Sequence, residues 1–260
     1  PFLSHGNKPT RTEALEYYRR VVKQWGLNLK LYCPVKDIKK VGDGFEVITK
    51  EGKYRSKNIV IATGFYDFPY PLNVPGEELQ KVMHYYKEAH PFFDMNIAVV
   101  GAANSAVDVA LETQRKGAKS VTMIIRESKI GDNVKYWVKP DVLNRIKEGS
   151  IKAYFNSKVI EITEKKVKFK SEDKELEIEN DFVLAMTGYQ PNFNMLKNVG
   201  VKFKKDVFQT PNYDSTNMQS NIEGVFLAGV VCGGLKTNKW FIENSRGHAP
   251  LIMEYILKNN

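Results

Sequence analysis

Apolar positions in this chain gather into short continuous runs that end at glycine, with alternating and helically spaced stretches between them. Four runs share one form: Ile59-Val60-Ile61-Ala62-Thr63-Gly64, Ile97-Ala98-Val99-Val100-Gly101, Phe182-Val183-Leu184-Ala185-Met186-Thr187-Gly188 and Val225-Phe226-Leu227-Ala228-Gly229. Such runs predict strands of a parallel sheet, with the first expected to be buried on both faces. Thr10 and Glu13 form a capping box ahead of Leu15, Tyr18, Val21 and Trp25, which predicts a helix closed by Gly26. Residues 29–32 read as a strand, and residues 35–40 and 45–49 as a hairpin turning at Gly42-Asp43-Gly44, with a further short strand from Tyr54. Residues 152–156 read as a strand. Residues 159–163, 166–170 and 176–178 predict a small antiparallel meander with lysine-rich outer faces. Residues 133–147 read as a helix broken at Pro140, and residues 240–257 as a terminal helix.

The centre of the pattern is Gly101-Ala102-Ala103-Asn104-Ser105-Ala106, where an apolar strand makes a tight turn of small residues and continues with helical spacing to Gly117. This meets the dinucleotide-binding form G-x-G-x-x-G/A at Gly101 and Ala106, with Ala103 in the place of the second glycine. Gly101 permits the turn, Ala103 keeps bulk off a pyrophosphate, and Ala106 lets helix and strand pack closely. The helix then offers free N–H groups and its positive dipole end to phosphates. The next strand, Ser120 to Ile125, ends at Arg126 and Glu127, where this fold meets the adenosine ribose. Arginine there favours a 2′-phosphate, so Arg126, followed by Lys129, Lys135 and Arg145, points to NADPH over NADH.

The 260 residues carry 39 Lys+Arg against 30 Asp+Glu, a net charge of +9, but the lysines are scattered. A solvated surface explains them better than a nucleic-acid groove. No apolar run nears the roughly 20 residues that cross a bilayer, so no membrane partner is expected. Cys33 and Cys232 form neither a disulfide framework nor a CxxC pair, which suits a reducing cytoplasm. Cys232 is expected as a small buried filler and Cys33 as structural. The histidines are too dispersed for a metal site, and Tyr136-Trp137 are expected in the core. The chain begins Pro1-Phe2-Leu3 without methionine or signal peptide, which reads as the interior of a longer protein.

Taken in order, Ala62-Thr63-Gly64, the central small-residue turn, Met186-Thr187-Gly188-Tyr189-Gln190-Pro191-Asn192 and Val225-Phe226-Leu227-Ala228-Gly229 resemble the two-dinucleotide-binding flavoproteins of the thioredoxin-reductase-like group. Three further strings are similar to its bacillithiol-disulfide (bacilliredoxin) reductase branch, the YpdA family. These are Lys8-Pro9-Thr10-Arg11 with Glu13-Ala14-Leu15-Glu16-Tyr17-Tyr18, then Val134-Lys135-Tyr136-Trp137-Val138-Lys139-Pro140-Asp141, and Phe241-Ile242-Glu243-Asn244-Ser245-Arg246. The resemblance covers almost the whole chain. It implies an α/β fold of two Rossmann-like domains of the three-layer ββα type: an FAD domain from residues 1–92 and 208–260, and an inserted NADPH domain at residues 93–207. On that basis Thr63, Gly64, Gly229 and Asn238 face FAD, while Gly101, Ala103, Asn104, Ser105, Ala106 and Arg126 hold NADPH. Gly188, Val230 and Lys135 join them as cofactor-binding candidates.

Departures from the family's pattern set further expectations. No glycine-rich FAD loop or redox cysteine precedes Thr10, so the FAD domain is expected to be N-terminally incomplete and this chain to hold no stoichiometric FAD. Val230 stands where the wider group usually has aspartate. Residues 85–93 lack the CxxC of thioredoxin reductases, which excludes their dithiol mechanism for this segment. The expected function is FAD-dependent transfer from NADPH to a low-molecular-weight thiol disulfide or thiol-redox protein, with homo-oligomers allowed and no catalytic residue assigned. The alternatives are a flavin-dependent monooxygenase, whose Ala-Thr-Gly-Tyr string the 186–192 segment also resembles, and a non-catalytic NADPH-binding fragment.

Overall fold

The computed structural model describes residues 9–259; expectations placed on residues 1–8 lie outside them. Helix α1 (Arg11–Gln24) opens the described chain, followed by the antiparallel strands β1 (Val35–Val41), β2 (Gly44–Thr49) and β3 (Lys53–Ser56). Next come β4 (Ile59–Ile61), β5 (Phe68–Pro69), β6 (Val82–Met83), β7 (Asn96–Val100), α2 (Asn104–Arg115), β8 (Ser120–Ile124), α3 (Lys139–Lys147) and β9 (Lys152–Tyr154). The meander is β10 (Ser157–Ile162), β11 (Lys166–Ser171) and β12 (Lys174–Glu179). The chain finishes with β13 (Phe182–Ala185), β14 (Tyr189–Gln190), α4 (Asn194–Asn198), β15 (Val225–Leu227), α5 (Ile242–Ser245) and α6 (His248–Asn259).

A five-stranded parallel sheet, ordered β6-β13-β7-β8-β9, forms the larger body. Strand periodicity sorts its side chains between two layers. Ile97, Val99, Val121, Met123 and Leu184 face one way and pack with α2 residues Ala106, Val107, Ala110 and Leu111. Ala98, Ile124 and Val183 face the other way and pack against Val159, Ile162, Val167 and Phe169 of the meander. Helices, parallel sheet and meander thus make the expected three-layer ββα unit.

The second body repeats the scheme in brief. β4 and β15 pair in parallel, Ile61 and Val225–Leu227 are buried, Ile38 and Phe45 from the β1–β2 hairpin cover one side, and Ile252 of α6 packs into the same cluster. Phe193, Leu196 and Val201 also belong to this core, whereas Leu72, Val74, Leu79 and Val82 pack with the five-stranded body. The chain therefore crosses between cores at residues 65–71 and 186–193. At that crossing β5 pairs with β14, and Tyr66 and Tyr189 stand 4.1 Å apart between ring centres with their hydroxyls 3.2 Å apart.

The capping box forms as expected: the Glu13 amide donates to Thr10 Oγ1, and the Thr10 amide to Glu13 Oε2 at 2.7 Å. Five local expectations fail. Residues 29–32 pair with no strand among the described residues, and Leu29, Leu31 and Tyr32 are exposed; an apolar run does not make a strand without a neighbouring ladder. Val60 is 49% exposed, because β4 is covered on only one face among the described residues. Residues 133–138 are irregular, and Pro140 sits in the first turn of α3, where its missing N–H is harmless, so it starts the helix and does not split it. Tyr136 and Trp137 are 82% and 50% exposed, since Val134 and Val138 take the core positions of that loop and the turn between them faces outward. The terminal helix is interrupted at Arg246-Gly247, giving α5 and α6.

Candidate functional site

The C-terminal ends of β7, β8 and β13 open into a cleft of about 710 Å³. Parallel strands end here with their following turns splayed apart, which is where α/β sheets take ligands. Gly101 sits at φ +128°, and a Cβ there would come within 2.6 Å of the Met186 carbonyl oxygen. Its amide donates to the Ile124 carbonyl oxygen at 3.1 Å, tying the turn to β8. Ala103 occupies the cap of α2 at φ −91°, ψ −175°, extended backbone that alanine adopts without strain, so a second glycine is not needed. No side chain caps α2, leaving its first-turn amides open to an anion. Ala106 is fully buried beneath the turn.

Gly101, Ala103, Ser105, Arg126 and Gly188 line this cleft together. Arg126 is largely exposed and bonds its neighbour, its Nη2 donating to Glu127 Oε1 at 3.0 Å. Asn104 and Lys135 do something else. Asn104 clamps the following loop: its Nδ2 donates to the Asn133 carbonyl at 3.2 Å, and its Oδ1 accepts from the Lys135 amide at 2.9 Å. The Lys135 ammonium is held by Asp108 of α2 at 2.6 Å and does not line the cleft. Sequence reasoning missed Ser157, Lys158, Thr187 and Tyr70, which complete the wall. Ser157-Lys158 opens the meander, and only the placement of β9 beside β8 brings that start to the cleft. The Thr187 hydroxyl donates to the Tyr70 carbonyl at 2.5 Å, joining the β13 end to the connection after β5.

A second group lies at the ends of β4 and β15. The Ala228 amide donates to the Ile61 carbonyl at 3.0 Å, so Thr63-Gly64 and Gly229-Val230 leave the strand pair side by side. Gly64 and Gly229 take φ +77° and +75°, and open space lies where a Cβ would stand on either. Thr63 and Asn238 are exposed, Val230 half-buried. The Gly229 amide donates to Nδ1 of His248, a buried residue that the sequence set aside as a metal ligand and did not place at this site. Burial lowers the His248 pKa, with Lys239 adding to the effect. Cys232 is fully buried behind this shelf, and burial pushes its thiol up to about 12, which makes it a poor nucleophile. Cys33 is half-buried. Among the described residues no cluster of His, Cys, Asp and Glu is suited to a metal ion, and no helix is long and apolar enough to cross a membrane.

Comparisons of the sequence and of the fold with known proteins agree with one another. Residues 1–229 match the family described as pyridine nucleotide-disulphide oxidoreductase. The chain is 40% identical over 259 residues to the bacilliredoxin reductase Bdr of Bacillus subtilis, an alignment spanning 99% of this chain and 79% of that protein. The solved bacillithiol disulfide reductases Bdr (YpdA) of Bacillus cereus and Staphylococcus aureus superpose on all of it, each with a TM-score of 0.94. Their identities are 40% and 36%, and the superpositions span 81% and 80% of those chains.

Proposed function

The chain belongs to the pyridine nucleotide-disulphide oxidoreductase family, a flavin- and nicotinamide-dependent group, and from that membership we propose a disulfide reductase that uses NADPH and FAD and acts on a low-molecular-weight thiol disulfide of the bacillithiol type. The observation that carries the substrate class is the 40% identity to a bacilliredoxin reductase along 99% of the chain. In this reading the Gly101–Ala106 turn and the open end of α2 receive the NADPH pyrophosphate. Ser105 and Gly188 border it, and Arg126 lies at the adenosine end. Asn104 and Lys135 act indirectly, fixing the 133–135 loop beside the turn. Thr63, Gly64, Gly229, Val230 and Asn238 receive FAD; the small strand ends and the unfilled space over Gly64 and Gly229 suit a flat ring system. A bound flavin supplies the two-electron relay between nicotinamide and disulfide. The nucleotide domain is best drawn between the crossings near residues 65–71 and 186–193, with the flavin domain on either side. The cytoplasm, where NADPH and reduced thiols are kept, is the matching compartment.

The test is oxidation of NADPH by FAD-supplemented protein, with bacillithiol disulfide and without oxygen. Disulfide-dependent turnover under these conditions is the expected result. No turnover under these conditions, with oxidation restored by oxygen and an oxygenated product formed, would instead identify a monooxygenase.

A further inference from the structure

We propose that Lys158, not Arg126, gives the cleft its preference for a nucleotide bearing a 2′-phosphate; this rests on reading the cleft as the NADPH site. The four cations that the sequence offers for this role after β8 are each engaged by an acid. Arg126 pairs with Glu127 at 3.0 Å, Lys129 with Asp132 at 2.6 Å, Lys135 with Asp108 at 2.6 Å, and Arg145 with Glu148 at 2.7 Å. The charged side chains lining the cleft are Arg126, Glu127 and Lys158. A phosphate approaching Arg126 also meets the Glu127 carboxylate, and the two fields nearly cancel beyond their own separation. Lys158 makes no ion pair among the described residues, so the net positive charge of the cleft wall is its contribution.

Its position fits the role. The Asn156 amide donates to the Glu127 carbonyl at 3.0 Å, and the Ser157 amide to the Ile125 carbonyl at 2.8 Å. Lys158 therefore stands beside the C-terminal end of β8, where this fold meets the adenosine ribose. Ser157 and Val159 on either side are buried, which fixes the backbone from which the exposed Lys158 side chain extends. Its cross-strand partner is another cation. In the meander Lys166, Lys168 and Lys170 of β11 stand opposite Glu179, Glu177 and Glu175 of β12, but Lys158 of β10 stands opposite Lys170. Like charges facing across a ladder are unfavourable, and a bound dianion relieves the repulsion.

Titration of the full chain and its Lys158→Gln variant with NADPH, NADH and adenosine 2′,5′-bisphosphate tests the assignment. Loss of one charge-assisted contact weakens NADPH and the bisphosphate by about tenfold and leaves NADH within about twofold, with Lys158→Arg restoring most of the difference. Equal weakening of NADH and NADPH would show a merely structural role and overturn the proposal, as would unchanged NADPH binding in the variant. Failure of the unaltered chain to bind any of the three would sink the nucleotide reading of the cleft itself.

Discussion

The amide of Gly229 donates to Nδ1 of His248 at 3.1 Å, so the ring accepts there and carries its proton on Nε2. That geometry requires a neutral imidazole, and burial lowers the His248 pKa below its ordinary 6.5. The unfolded chain then binds the proton more readily than the folded one. The contribution is present above about pH 6.5 and is lost as pH falls through the lowered folded value. Thermal unfolding followed between pH 8 and about pH 5 should show this acid loss in the unaltered chain and a smaller one in His248→Asn. Identical pH profiles for the two would sink the linkage.

Gly101→Ala places a methyl group 2.6 Å from the Met186 carbonyl, at a φ of +128° that alanine rarely adopts. A loss of about 1–3 kcal/mol in stability is expected, with nucleotide binding reduced as the turn shifts. Ala103→Gly is the contrasting case. Its backbone needs no glycine, so NADPH affinity should stay within about threefold of the original. Paired denaturant melts and nucleotide titrations separate the two outcomes.

Glu127 opposes a bound phosphate, so Glu127→Gln should tighten NADPH by about two- to fivefold without altering NADH. Arg126→Ala leaves Glu127 uncompensated and should weaken NADPH. In the double variant Arg126→Ala/Glu127→Gln the wall keeps the Lys158 charge, and the preference for NADPH should persist. Calorimetric titration of all three decides it; a double variant indifferent to the 2′-phosphate would make Arg126 the selector.

Cys232 should resist alkylation by iodoacetamide in the native protein at pH 8, because its thiol is buried and that burial pushes its pKa up to about 12. Cys232→Ala should cost about 1–2 kcal/mol of stability and leave disulfide-dependent turnover intact. Peptide mapping after labelling, with denatured protein as the control, gives the first result. A turnover collapse in the variant would make the thiol a participant.

Much of this was legible where one local rule acts alone. The glycine at 101, the capping box at Thr10 and Glu13, and the alternating Lys and Glu residues of the meander each follow from nearest-neighbour physics. The misses share a cause in tertiary placement. Pro140 serves as readily at a helix start as at a break, and only the irregular loop before it decides which. Tyr136 and Trp137 are apolar by composition but fall on the outward turn between Val134 and Val138, which take the core positions of that segment. β5 and β14, two residues each, are too short for any period to show. Lys158 lacked a signal because its meaning comes from the position of β9 and from the acids that occupy every other candidate.

The free edge of the meander has a consequence for how copies of this protein behave in concentrated solution. Among the described residues β12 is an outer strand of the meander with no neighbour beyond it, and Glu175, Glu177 and Glu179 project from it in alternating register, each opposite a lysine of β11. A second copy joining that edge antiparallel would set its own glutamates against this row, with no lysines between. Three pairs of carboxylates would face one another, and the ladder would be repelled before its hydrogen bonds formed. The pairing that steadies the strand from inside thus guards it against fibril-like stacking from outside.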